Sequence, residues 1–145
     1  MRSTSGERVS LDSNILVYSV DRDAGHRHER AIDVVDRCVE LDCVLALQAL
    51  AEFYFVATRK GKMPHADAAA QVTDWQDLFP VALPGPDTVV RATAAVRDHQ
   101  LSFWDAMLWA VAARNDVDIL LSEDLQDGRT LSGVRFVDPF SNAKW

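Results

Sequence analysis

Short, wholly apolar runs alternate along this chain with stretches whose apolar residues recur every three or four positions. "RVSL" at 8–11 reads as a strand, and "SNILVYSVD" after Asp12 has helical spacing at Ile15, Leu16 and Tyr18, with Ser13 at the N-cap. Asp12 then stands at the strand's carboxyl end. After a turn at 23–25, "HRHERAIDVVDRCVE" gathers Ala31, Ile32, Val34, Val35, Cys38 and Val39 on one helical face. "CVLAL" at 43–47 suits a buried strand, and the helical "QALAEFYFVATRK" after it is ended by Gly61.

Pro64 is placed to begin the next helix, "HADAAAQVTDWQDLF", which stops before Pro80. "VAL" at 81–83 is a brief strand. Past the turn at 84–86, Asp87 is placed to cap "TVVRATAAVRDHQ", and Ser102 to cap "FWDAMLWAVAARN". "DILLS" at 118–122 and "VRFVD" at 134–138 complete the strands, the first almost entirely apolar, as a central parallel strand is. Strands alternating with helices predict an α/β domain with a mostly parallel sheet. With no internal repeat and no long linker, residues 1–145 read as a single domain with a flexible stretch at 1–6.

Composition changes the picture in only one respect. With 48% hydrophobic and 26% charged residues the chain has the makeup of an ordinary globular protein. No apolar run reaches transmembrane length and "MRSTSGERVS" lacks the core of a signal peptide, so the expected compartment is the cytoplasm, without membrane attachment. Cys38 and Cys43 lack zinc-type spacing and read as reduced packing residues. The net charge of −7 argues against a simple nucleic-acid binder, which presents a basic surface to phosphates. An acidic chain can still act on nucleic acid where its acids converge on divalent cations.

Four acids map to the edge where an open α/β sheet binds ligands, the carboxyl ends of its strands. Asp12 ends the first strand, Glu52 lies about a turn into the helix after the second, Asp105 sits in the first turn of its helix and Asp124 follows "DILLS". Asp127 is a fifth candidate. Each also has a purely structural explanation. Asp12 fits a helix cap, Glu52 a solvated helix position, Asp105 a capping box with Ser102, and Asp124 and Asp127 a turn. Taken together these explanations weaken, because Glu52 and Asp105 lie in otherwise apolar helices. Carboxylates gathered in a low-dielectric pocket require protonation, a cationic partner or a metal, and oxygen-only ligands select Mg²⁺ or Mn²⁺.

"LDSNILVYSVD", "QALAEFY", "LSFWDAMLWAVAARN" and "LLSEDLQDG", in that order and spacing, resemble the PIN-domain nucleases, most closely the VapC-type toxins of type II toxin–antitoxin systems. The resemblance runs nearly the full chain. It implies a PIN-like sheet of about five parallel strands flanked by helices, and a Mg²⁺- or Mn²⁺-dependent endoribonuclease. Carried over by position, Asp12, Glu52, Asp105 and Asp124 match the family's catalytic and metal-binding acids, with Asp127 a variable extra metal ligand. Asn14 and Ser122 match small polar positions near the metal. The implied partners are an RNA substrate, a second copy of the chain in a homodimer, and a cognate antitoxin that covers the acidic pocket.

Other features carry less. "HRHER" does not continue to HExxH, because Ile32 stands where the second histidine is needed. The cations of "TRKGK" at 58–62 suit RNA phosphates but equally a helix C-terminus. Trp104 and Trp109 could stack on bases, though their place in an apolar helix predicts core packing. The rival to a nuclease is a PIN-fold module that binds protein or RNA without cutting. A degraded acidic set would favour it, and here all four positions are filled. A Mg²⁺-dependent phosphohydrolase or receiver domain would need a DxD motif or paired Asp and Lys, and "LDSNIL" supplies neither.

Overall fold

A computed structural model of the chain describes residues 6–59, 62–142 and 145. Most of the expected flexible N-terminal stretch and the helix-ending Gly61 therefore lie outside the described residues. β1 (Val9–Leu11) runs into α1 (Ser13–Val20), a 3-10 turn (Arg22–Ala24) and α2 (His26–Val39). β2 (Leu45–Ala46) leads into α3 (Leu47–Thr58) and α4 (His65–Leu78), and β3 (Val81–Ala82) into α5 (Thr88–His99) and α6 (Phe103–Arg114). β4 (Ile119–Leu121), β5 (Thr130–Leu131) and β6 (Val134–Val137) follow.

The central sheet has four strands in the order β1-β4-β6-β5, and β2 and β3 pair as a separate parallel ribbon. A single parallel bridge between Val9 and Cys43 links that ribbon to the free edge of β1. Five strands therefore run parallel, as expected, but divided between two ladders, because β2 and β3 are only two residues long. The sequence reading lacks β5, which pairs antiparallel with β6 across Ser132 and Gly133, both at positive φ. Such a two-residue turn matches the twist of the strands it joins, and the Ser-Gly pair was its only local signal.

The core follows the apolar pattern. Leu11, Leu120, Leu121 and Phe136 are fully buried in the sheet, and Phe53 of α3 meets Trp75 of α4 edge to face at 4.6 Å. α1 packs on α2 and α3, and α3 on α4. α6 lies between α5 and the sheet strands β2 and β6. That position explains why α6 has apolar residues all round: Ala106, Leu108, Trp109, Ala110, Val111 and Ala112 are all buried. Trp109 directs its indole N–H to the Leu131 carbonyl at 3.0 Å, which ties α6 to the hairpin. Cys38 and Cys43 are buried free thiols, as the sequence suggested. No helix among the described residues is long and apolar enough to cross a membrane.

Two caps differ from expectation. Asp12 rather than Ser13 caps α1, accepting a hydrogen bond from the Ser13 N–H. Asp87 stands at the N-cap of α5 without a side-chain capping bond, since it is turned toward Arg114 at 3.3 Å.

Candidate active site

The chain leaves β1 toward β2 and β3 on one side and returns through β4 and β6 on the other. The junction of β1 and β4 is thus a topological switch point, the place where open α/β sheets form ligand crevices. Leu11 is in register with Leu121, and the Asp12 N–H extends the ladder to the Leu121 carbonyl at 2.9 Å. Asp12 and Ser122 therefore emerge side by side from adjacent strands.

Ser122, fully buried, is the hub of the site. Its hydroxyl donates to Asp12 Oδ2 at 2.7 Å and accepts from the Asp124 N–H at 3.1 Å and from Asn14 Nδ2 at 3.4 Å, which uses its donor and both lone pairs. Asn14 Nδ2 also donates to Asp124 Oδ2 at 3.1 Å. On the other side, the Ser13 hydroxyl lies 3.1 Å from Glu52 Oε2 and 3.4 Å from Asp12 Oδ1. Gln48, one turn before Glu52 on α3, donates from Nε2 to Glu52 Oε1 at 2.6 Å and to the Trp104 carbonyl at 3.1 Å, joining α3 to the start of α6. The sequence reading gave Gln48 no role and Ser13 only that of a helix cap. Gln48 could have been found from its i, i+4 spacing to Glu52.

At Asp105 the helix cap expected from Ser102 forms. The Ser102 hydroxyl accepts from the Asp105 N–H at 3.3 Å, so the cap engages the backbone. The carboxyl group is raised in pKa by burial first, with the Ser102 hydroxyl opposing and the charges of Asp124 and Glu52 adding to the rise. Capping and convergence with the other acids are compatible. Removing the cap in Ser102→Ala is expected to cost about 1 kcal/mol of stability, read as a lowered melting temperature.

Asp12 is the most perturbed acid. Only 6% exposed, its carboxyl is pushed from 3.8 to about 6 by desolvation, against the opposing bonds from Ser122 and Ser13, with Glu52 and Asp105 pushing further in the same direction. No arginine or lysine among the described residues forms an ion pair with Asp12, Glu52, Asp105 or Asp124. Among the described residues no three acidic, histidine or cysteine side chains stand close enough together to grip a metal ion, so the acids singled out in the sequence do not form a closed ligand set. Asn14 Oδ1 is buried and has no hydrogen-bond partner, although its amide is oriented by the bonds from Nδ2. An orphaned oxygen beside unneutralised carboxylates suits an oxygen-seeking divalent cation.

Asp127, exposed as Asp124 is, makes none of these bonds; its Oδ1 accepts from the Asp138 N–H at 2.9 Å, joining the two ends of the β5–β6 hairpin. His28 Nδ1 lies 2.8 Å from the Tyr18 carbonyl, and Arg27 pairs with Glu123 at 3.0 Å, so neither joins the acids. Trp109 is buried as expected, but Trp104 is not: it is 63% exposed, because it precedes the point where α6 enters the core.

The sequence from 9 to 126 matches the family model of the PIN domain. The chain belongs to the PIN-domain family. That stretch runs from β1 through the loop after β4 and contains Asp12, Glu52, Asp105 and Asp124. No curated protein matches the chain. Several solved PIN-like structures share its fold. VapC20 of Mycobacterium tuberculosis, a sarcin–ricin loop cleaving toxin, superimposes with a TM-score of 0.62 at 18% identity, covering 77% of this chain and 86% of its own. A toxin–antitoxin complex from Klebsiella pneumoniae gives 0.63 at 20% identity, over 90% and 97%. VapBC2 of Rickettsia felis, bound to a DNA fragment from its promoter, gives 0.65 at 9%, over 89% and 96%.

Proposed function

We propose that this PIN domain is a divalent-metal-dependent endoribonuclease and the toxin of a toxin–antitoxin pair. The observation that carries the reading is that Asp12, Glu52 and Asp124 are linked at the switch point through Ser122, Ser13, Gln48 and Asn14, with Asp105 near enough to raise the Asp12 pKa, and that none of the four has a cationic partner among the described residues. The likeness to solved toxins and their antitoxin complexes supports the biological role.

In this reading Asp12, Glu52, Asp105 and Asp124 hold Mg²⁺ or Mn²⁺, and Asn14 orients Asp124 from its Nδ2. The ion, when bound, would supply a hydroxide-like water and neutralise charge on the phosphodiester. The chain's own residues perform the positioning. Ser122 fixes the Asp12 carboxylate by its 2.7 Å bond and holds the Asp124 backbone, while Gln48 and Ser13 fix Glu52 from two sides. Asp12 titrates at about 6 when no cation is present, so near neutral pH its oxygens are free of the proton without a large cost. The N–H groups at the start of α1, which Asp12 caps, turn a partial positive charge toward the site.

The expected partners are a cognate antitoxin, for which the acidic pocket offers electrostatic complementarity to a basic segment, and a second copy of the chain. Leu83, Val89, Val90 and Val96, on and beside α5, are exposed apolar side chains available for self-association. Purified, antitoxin-free protein is expected to cut total RNA at discrete positions with Mg²⁺ or Mn²⁺ and not with EDTA. No cutting with either metal would favour a PIN-fold binding module instead.

A further inference from the structure

Beside Glu52 the surface opens into a groove of about 510 Å³ lined by Gln48, Ala51, Glu52, Phe55, Arg59 and Trp104, with Val56 behind them. That is within the roughly 300–1,000 Å³ of small-ligand sites. Its walls are unusual for a surface. Phe55 is 64% exposed and Trp104 63%, whereas Trp75 and Trp109, the two buried tryptophans, are 4% exposed. Arg59 leans over the Phe55 ring at 5.6 Å and has no acidic partner among the described residues. The groove is continuous with the acids, since Gln48 bonds both the Glu52 carboxylate and the Trp104 carbonyl.

We propose that Trp104, Phe55 and Arg59 form a subsite for one unpaired nucleobase of RNA next to the phosphate held at the carboxylates. This rests on the ribonuclease reading and specifies where its substrate lies. Two exposed aromatic faces offer stacking that any base can use, and an unpaired guanidinium at the rim offers a phosphate contact on a chain whose net charge is −7. The charge is what favours a nucleotide over an apolar peptide segment, since an apolar side chain would leave Arg59 without a counter-ion. Because the groove has Glu52 in its wall, a base seated there belongs to a nucleotide close to the cut, so it sets sequence preference as well as affinity.

The test is fluorescence anisotropy with fluorescein-labelled oligoadenylate and oligouridylate 12-mers in Mg²⁺, using the Asp12→Asn chain as non-cutting parent and adding Trp104→Ala, Trp104→Phe or Phe55→Ala. Trp104→Ala is expected to weaken binding by about tenfold, more for adenylate than for uridylate, and Trp104→Phe to keep most of the affinity. Both positions are exposed, and unchanged melting temperatures check that the fold is intact. Cleavage of total RNA by the same variants with Asp12 restored separates the two readings. If the wild-type chain cuts and Trp104→Ala and Phe55→Ala bind and cut as it does, the subsite is wrong and the nuclease stands. If the wild-type chain neither binds nor cuts RNA, the subsite falls with the nuclease. A change in mass by light scattering on Trp104→Ala, with RNA affinity unaltered, would assign the groove to a second copy and also overturn the proposal.

Discussion

Asp12→Asn is expected to lower RNA cleavage by roughly a thousandfold while making the metal-free protein more stable at pH 7. The two effects have one origin. Asp12 is 6% exposed, and burial raises its carboxyl from 3.8 to about 6, so at neutral pH the folded chain holds a buried anion that the unfolded chain would hold in water. Asparagine keeps the geometry. Its Oδ1 can accept from the Ser13 N–H as Asp12 Oδ1 does at 2.6 Å, while its amide replaces the oxygen to which the Ser122 hydroxyl donates at 2.7 Å, and that lost acceptor offsets part of the gain. It removes the charge that Glu52 and Asp105 oppose. The gain has an upper limit of about 3 kcal/mol, at roughly 2–4 °C in melting temperature for each kcal/mol in a domain of this size. Cleavage falls because an amide is a poor ligand for a hard cation and the charge for the ion is lost. Melting curves and cleavage assays on the same preparations check both halves. An active variant would remove Asp12 from the site, and an inactive variant that melts well below the parent would make it structural.

What the sequence revealed and what it hid divide by the range of the interactions. Asp12, Asp105 and Asp124 were legible because each follows or opens a segment whose apolar pattern marks its end: a strand at 8–11, a capped helix at 103, a strand at 118–122. Glu52 was legible by contradiction, as a charge in "ALAEFYFV". The polar residues that hold these acids were harder to find. Ser13 was assigned to a cap that Asp12 in fact makes, and Gln48 has no role until α3 and α6 meet, because its two partners are 4 and 56 positions away. Trp104 misled for the opposite reason. Local spacing placed it in an apolar helix, but α6 enters the core only from Ala106, so two successive turns that each carry a tryptophan differ in burial. The bond that Asp127 makes to the Asp138 N–H, eleven residues on, was out of reach of local spacing. β5 and the division of the sheet depend on strands of two residues, below the length at which alternation carries a signal.

The pH dependence of the metal-free protein should run opposite to that of its activity. A carboxyl whose folded pKa is raised binds its proton more tightly in the folded chain than in the unfolded one, so its contribution to stability is fully present below pH 3.8 and is lost as the pH rises to about 6. Asp105, raised by the same desolvation and by Asp124 and Glu52, adds a smaller loss of the same sign. Comparing the wild-type chain with Asp12→Asn isolates the first contribution: in EDTA the two should melt together near pH 4 and separate through pH 5–6, with the variant higher and the gap constant above. Adding Mg²⁺ should then narrow the gap, most of all above pH 6, because a cation competes with the proton for the same oxygens and stabilises the folded state by mass action, by about 2.7 kcal/mol at a hundred times its dissociation constant. Cleavage should rise over the interval in which metal-free stability falls, and its midpoint should move to lower pH as Mg²⁺ is raised. Parallel melting curves at every pH would show that Asp12 is not the group that titrates. A cleavage midpoint independent of metal concentration would show that proton and cation do not share its carboxylate.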